Sequence, residues 1–307
     1  MSEAGSRWPA PVELALGLVI GWWALTIAPV EAWWIDLLRH FVPQSAIVAW
    51  VLMGWAAWRQ RSRAAVFAGL LALVQTARSI GEGTLAPGGE RLVVLSWNVR
   101  RDQPTHGPVV EALSGAQPTL LCALETHAGW VEALAAAPGF RVVHDASRPD
   151  YFGAALLSAE PELSLRAPAR AVLPGGNLVE VPLRVRDREL DVLLVHTMPP
   201  VGSDATALRD AQLREVGRWT ASRPTPWVVC GDLNATYWST PMRALGVPRV
   251  QGAWWPLGSW PSWLPSWLGI PIDHVLVSPE LVVARRTLGA SAGSDHRLVT
   301  VELAWQR

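Results

Sequence analysis

The chain of 307 residues balances 26 basic against 26 acidic side chains, is 50% hydrophobic, and holds 19 tryptophans but only two cysteines. Zero net charge excludes a general attraction to polyanions, and the apolar content excludes a disordered chain. Every basic side chain is arginine, and the segment 92–307 alone carries 19 Arg against 20 Asp plus Glu (19 − 20 = −1). A nonspecific nucleic-acid binder ordinarily shows a basic surplus, because phosphate neutralisation supplies most of its affinity. Arg100, Arg101 and Arg148 leave room for a local basic groove, but the balance does not favour one.

The first eighty residues are apolar material. Runs at 12–30, 41–58 and 64–80 predict three helices, with tryptophans such as Trp22, Trp23, Trp55 and Trp58 near their ends, where a membrane interface favours indole rings. A spanning helix needs about 20 apolar residues, so the first run is long enough, the second is borderline and the third needs Arg78 to snorkel. A cleavable signal peptide fits the first run poorly, since Arg7 stands alone before it and no small-x-small site follows. A soluble helical domain fits poorly as well, because the helices lack a polar face. The dense basic link Arg59-Gln60-Arg61-Ser62-Arg63 marks the cytoplasmic side. Three crossings of the inner membrane then put the amino terminus in the cytoplasm and the remainder of the chain outside it, in the periplasm. Two crossings would reverse that. Residues 81–90, rich in Gly and Pro, read as a linker to a domain at 91–307.

From residue 91 on, apolar β-type runs repeatedly end in a polar side chain. Val93–Trp97 leads to Asn98, Leu120–Leu124 to Glu125, Val192–Val195 to His196, and Trp227–Cys230 to Gly231-Asp232-Leu233-Asn234. Ile272-Asp273-His274 opens another run and Ser294-Asp295-His296 precedes one more. A sheet holds strand-end side chains rigidly, so acid, amide and imidazole groups in these places can converge on one cleft. Any of these strings alone is weak; the ordered set carries the reading. His274 enters a strand beside Asp273 and so points to the opposite face. His106, His127 and His144 lie in loop or helix-start contexts and read as structural.

This order resembles the endonuclease/exonuclease/phosphatase superfamily, the deoxyribonuclease I-like group, over about residues 91–307. Leu124 and Thr119 stand where that group often has Gln and Asp, which loosens the subfamily. The resemblance implies a two-sheet α/β sandwich with helices outside, preceded here by the all-α transmembrane region. It also implies a metal-dependent phosphoester hydrolase using Mg²⁺, with Mn²⁺ as the alternative. By the same resemblance, Glu125 is the first metal ligand, and Asn98 and Asp295 complete the shell directly or through water. Asp232 orients or deprotonates the attacking water, and Asn234 donates to a phosphoryl oxygen. Asp273 orients His296 and favours its imidazolium, and His196 holds or protonates a phosphoryl oxygen.

Around these positions, 207–221 predicts an amphipathic helix with Leu208, Ala211, Leu213 and Val216 inward and Arg209, Arg214, Glu215 and Arg218 in water. Cys122 and Cys230 sit in apolar runs and read as buried thiols rather than a disulfide. Between Asp232 and Asp273, the stretch 254–271 is dense in Trp, Pro and Gly and cannot form a long helix. It either packs onto the domain, dips into a membrane interface, or walls the cleft for an apolar leaving group. Three functions remain: a membrane-anchored phosphoesterase acting on a lipid-linked or small phosphoester, a metal-dependent nuclease on nucleic acid, and a catalytically silent membrane scaffold.

Overall fold

The computed structural model describes residues 11–30, 32–80, 90–173, 178–246 and 255–306. Apart from Glu90, the expected linker at 81–90 lies outside the described residues, as does Trp254. The chain divides into two compact units, Met1–Ile80 and Gly81–Arg307.

The first unit holds α1 (Pro11–Ile27), α2 (Trp33–Arg39), α3 (Val42–Trp58) and α4 (Ser62–Ser79). Pro29 stops the first helix early, because proline disfavours helical backbone in the residue before it. The run expected to continue to residue 30 therefore ends at Ile27, and the unanticipated α2 follows. No single described helix is long and apolar enough to cross a membrane. Together α2 and α3 reach that length and hydropathy, but as a pair bent by 64°. The helices α1, α3 and α4 fall on the runs expected at 12–30, 41–58 and 64–80 with their ends shifted by up to three residues, and α2 is a fourth helix between α1 and α3.

This unit presents large apolar side chains outward as well as inward. Of the 25 exposed large hydrophobic side chains among the described residues, 18 belong to it, from Leu14 to Ile80. Its interior holds aliphatic side chains such as Val12, Leu16, Val19, Leu52 and Leu71 together with small and polar ones. Ala49, Ala56, Ala68 and Ala72 are buried where α3 and α4 meet, and small side chains let two helices approach closely without any drive from water. The buried Arg39 guanidinium donates to the carbonyls of Thr26, Ala28 and Val30, closing the carbonyl end of α1. Gln75 donates to Ser45 Oγ (2.6 Å), and Arg78 donates to Thr26 Oγ1 (3.1 Å).

The second unit runs β1 (Arg91–Asn98), α5 (Gly107–Ala112), β2 (Leu120–Leu124), α6 (Ala128–Ala135), β3 (Arg141–Ala146), β4 (Ala154–Ser158), β5 (Leu163–Leu165) and β6 (Arg170–Ala171). It continues with β7 (Leu178–Val185), β8 (Arg188–His196), α7 (Ser203–Ala221), β9 (Trp227–Asp232), α8 (Thr240–Ala244), β10 (Asp273–Val277), β11 (Leu281–Leu288) and β12 (Val299–Trp305). Two sheets form, ordered β11-β12-β1-β2-β4-β3 and β10-β9-β8-β7-β5, with β6 on β7. One core lies between them, built from alternate residues such as Leu92 and Val94, Val192 and Leu194, and Val228 and Cys230. A second packs α5 and α6 on the outside of the first sheet, and a third packs α7 on the outside of the other. The expected sandwich is present.

Two expectations fail here. Cys122 and Cys230 are joined by a disulfide, with their Cα atoms 6.4 Å apart. Each lies on a face that looks between the sheets, and the apolar runs around them could not reveal that β2 and β9 oppose one another. In α7, Arg209 is buried and Leu208 is 46% exposed, the reverse of expectation. The inward stripe is Thr206, Arg209, Gln212, Leu213, Val216 and Trp219. Arg209 is tolerated there because its guanidinium donates to Asn234 O (3.0 Å) and Asp210 Oδ1 (2.7 Å).

Candidate active site

Strand alternation that builds the central core also builds the cleft. Side chains two residues apart share a face, so the inward series Val192, Leu194 ends in His196, and Val228, Cys230 ends in Asp232. Register then aligns the ends: His196 pairs with Asp232 on one side, and Asp273 pairs with Asp232 on the other. One row across β8, β9 and β10 therefore carries imidazole, carboxylate and carboxylate. Gly231 permits this approach, since its φ is +145° and a Cβ there would lie 1.9 Å from Val195 O. In the facing sheet, the parallel pair β1 and β2 aligns Asn98 with Leu124, and Glu125 follows.

Across the gap the groups meet. Asn98 Nδ2 donates to Glu125 Oε1 (2.8 Å) and reaches Asp232 Oδ2 (3.5 Å). Glu125 holds the left-handed backbone (φ +59°), and its other oxygen accepts the Arg101 N–H (3.0 Å). Such strain in a non-glycine residue persists only where the surroundings fix it. Asp232 Oδ1 accepts the Asn234 N–H (2.8 Å), and the Asn234 amide donates to Thr197 O (2.9 Å). His296 Nδ1 bonds Asp273 Oδ2 (2.8 Å), and its Nε2 lies 3.7 Å from Asp232 Oδ2. His196 Nε2 is 3.9 Å from the same oxygen. Seven of the eight expected residues are joined directly in this network. Asp295 stands at its edge, with Oδ2 accepting the Trp260 indole N–H (3.2 Å), and its charge acts on His296.

Burial divides the two imidazoles. For His196, burial and the neighbouring His296 charge press the pKa down to about 4, so it is neutral at pH 7. In that state it can offer an N–H to an anion, the holding half of the role expected for it. His296 goes the other way: burial opposes its charge, yet Asp273, by charge and hydrogen bond, lifts it to about 10. Asp273 in turn resists the upward push of burial and is held low by the His296 imidazolium. Asp232, buried and beside the Asp273 charge, is pushed up to about 7. The set therefore contains a fixed ion pair, a neutral histidine and a carboxylate poised to take a proton.

Supporting residues were less legible. Ser294 Oγ donates to Asn98 O (2.7 Å) and accepts the His296 N–H (3.0 Å), tying one string to the other. Ser259 Oγ accepts the Asp273 N–H (3.2 Å). Arg209, on the helix between the His196 and Asp232 strands, braces Asn234. A recurring i, i+3, i+4 stripe through Arg209 was the signal that could have exposed it. His274, expected to face away, is buried with Nε2 on Ala235 O (2.7 Å) and Tyr237 edge-on at 4.7 Å. His127 caps α6 by accepting the Gly129 N–H (3.1 Å), and His106 packs on Trp130 at 4.0 Å. Both are structural, as expected.

A cation fits this chemistry. Glu125, Asp232, Asp273 and Asp295 gather around one charged imidazole, leaving negative charge uncompensated, and all the Asn98 and carboxylate donors are hard oxygens. Asp232, Asp273 and His296 have ligand atoms within 4.8 Å of one another, a group able to hold an ion. That trio is the poorer choice, because a metal would have to displace the proton that Asp273 fixes on His296. Glu125 and Asp232 face the same gap without that obstacle; Asn98 turns its amide Nδ2 toward both and its Oδ1 toward the Arg100 N–H (3.0 Å), so it would join the shell by turning that amide over.

A two-sheet sandwich with an acid–histidine row at its rim defines a hydrolase of phosphoester bonds. The profile of the endonuclease/exonuclease/phosphatase family matches residues 95–296, and the chain belongs to that family. No curated protein matches the chain by sequence. Among solved structures it is similar to an endonuclease/exonuclease/phosphatase from Bacteroides vulgatus (16% identity, TM-score 0.57, covering 71% of this chain and 100% of that one). It is similar also to humanized TDP2 of D. rerio (14%, TM-score 0.56, 69% and 98%). The human Nocturnin catalytic domain is a third (18%, TM-score 0.51, 73% and 96%). At such identities the likeness concerns the fold.

Proposed function

We propose that the chain is a membrane-anchored phosphoesterase that hydrolyses a lipid-linked or small phosphoester outside the cytoplasm. One observation carries the chemistry: His196, Asp232 and Asp273 stand in register on three neighbouring strands, with His296 between the two carboxylates and Asn98–Glu125 opposite. Asp232 accepts the proton of the attacking water, whose oxygen bonds phosphorus as the ester P–O bond opposite it breaks, and the released alkoxide takes its proton from solvent. The His296 imidazolium, pinned by Asp273, stabilises negative charge on the phosphoryl group, and neutral His196 and the Asn234 amide donate hydrogen bonds to its oxygens. Asn98 and Glu125 would hold Mg²⁺ or Mn²⁺, with Asp232 beside them and Asp295 acting through water. When bound, the ion supplies Lewis-acid polarisation of the phosphoryl oxygen.

Anchoring is supported by the helical unit's outer surface, where 18 large hydrophobic side chains are exposed while Arg39, Ser45 and Gln75 are buried. Two independent features support the outer side. The basic link Arg59–Arg63 favours a cytoplasmic position, and a disulfide between Cys122 and Cys230 persists in oxidising compartments. A reporter active on only one side of the membrane, fused after Arg307, tests this: activity confined to the cytoplasm overturns the assignment.

A second reading is nucleic acid. D. rerio TDP2, a structural neighbour, has been solved complexed with a single-strand DNA product, and Arg100 and Arg101 border Glu125 here. The full-length chain with Mg²⁺ should be assayed on plasmid DNA, phospholipid vesicles and bis-p-nitrophenyl phosphate. Nicking that Asp232→Ala abolishes would favour the nuclease. Silence on every substrate would favour the scaffold.

A further inference from the structure

Trp255–Pro271 contains four tryptophans and no Asp, Glu, Lys or Arg. It is a closed loop with its own bonds. Trp260 and Ile270 exchange backbone hydrogen bonds (3.2 and 2.7 Å), and Gly258 N–H donates to Ser266 O (2.7 Å). Its arms touch backbone to backbone, since a Cβ on Gly258 would lie 2.1 Å from Gly269 C.

The loop has two different edges. The inner edge is bonded to the catalytic strings: Ser259 to Asp273, Trp260 to Asp295, and Ser262 to both Asp295 O and Ser294 O (2.7 Å each). Arg297, next to His296, donates to the carbonyls of Ser262 (2.6 Å) and Leu264 (2.9 Å). The outer edge presents Trp263, 76% exposed, and Trp267, 48% exposed, with Leu264 and Leu268 half-exposed between and beside them. Indole rings on a loop with no charged residue of its own suit the water–lipid boundary, where the ring is shielded and its N–H stays wet.

We propose that the outer edge of this loop docks on the lipid–water interface of the membrane that holds the helical unit, and that the cleft takes a phosphoester presented at that surface. The proposal rests on the membrane-anchored phosphoesterase reading. The occupant follows from three facts about the chain. The loop lacks charge, which disfavours an acidic or basic partner. Its exposed residues are those that favour the interface. Only nine residues, 81–89, join Ile80 to Glu90, and nine residues reach at most about 30 Å, so a helical unit held in a membrane limits how far from it the catalytic unit can go. Because one loop meets lipid on its outer edge and holds Asp273 and Asp295 on its inner edge, docking aligns the site with the headgroup layer.

The test uses the full chain reconstituted in phosphatidylcholine vesicles. A fluorophore on Pro265→Cys reads the environment of the outer edge, and spin-labelled lipids or a water-soluble quencher report which phase it meets. Docking predicts quenching by the lipids that the double substitution Trp263→Ser/Trp267→Ser removes. The same double variant should lose at least about tenfold of the rate on a fluorogenic phospholipid while its rate on bis-p-nitrophenyl phosphate stays within about twofold. Quenching only from the water phase overturns the docking, as does an equal loss on both substrates, which would make the loop a structural brace. Hydrolysis of the soluble ester without the lipid would overturn the surface-substrate part. Lipid quenching without hydrolysis of either substrate would instead refute the phosphoesterase reading and leave docking in place.

Discussion

Replacing both bridged cysteines, Cys122→Ala/Cys230→Ala, removes a cross-link that closes a loop of 108 residues between the two sheets. In the chain-entropy account, a loop of that length restrains the unfolded chain by about 5 kcal/mol. The lost sulfurs add about 1 kcal/mol for the space they leave in a core where both side chains are fully buried. For a unit of this size, each kcal/mol lowers the melting temperature by about 2–4 °C, so a fall of roughly 12–24 °C is expected. Calorimetry of the full chain in detergent, following the transition of the catalytic unit, measures it. Alkylation of denatured, unreduced protein should find no thiol. A shift below about 5 °C, or two alkylated thiols in protein taken from membranes, would refute the argument and withdraw the disulfide's support for an oxidising compartment. Position adds interest, because Cys122 lies three residues before Glu125 and Cys230 two before Asp232.

Three more predictions concern the site and its surroundings. Asp273→Asn removes the charge that holds the proton on His296, and turnover of bis-p-nitrophenyl phosphate should drop by about 10²–10⁴-fold, with near-normal rates sinking the assignment. Glu125→Gln should raise the Mg²⁺ concentration for half-maximal rate by more than about tenfold; an unchanged titration would move the ion to the Asp232–Asp273–His296 trio. His274 is buried and neutral with a folded pKa near 4 against an ordinary 6.5. The unfolded chain therefore binds the extra proton between those values, and stability falls as pH drops through that window, by about 3 kcal/mol once below pH 4. His274→Gln should remove its own share of this limb, His196 contributing a like share and Asp232 an opposing one, and a midpoint with the same pH slope in the variant and the natural chain would contradict it.

By itself the sequence determined what is local. Alternation of apolar residues and the polar groups that end each run exposed Asn98, Glu125, His196, Asp232, Asn234, Asp273 and His296 before any geometry, because a strand fixes the face of each side chain with a period of two. Proline and glycine marked where strands begin and where the Trp255–Pro271 loop cannot be helical. Tertiary structure decided what depends on which strands oppose and which residues align. It faced β2 with β9 and so turned two buried thiols into a bridge. It rotated α7 so that Arg209 supports Asn234 rather than meeting water, since a guanidinium can be buried once carbonyl and carboxylate partners satisfy it. Burial, which no run of letters reports, divided the imidazoles, leaving His196 neutral while the Asp273 carboxylate keeps His296 charged. Hydrogen bonds from Ser259 and Trp260 bound the tryptophan loop to the catalytic acids, a link between segments distant in the chain that only folding brings together.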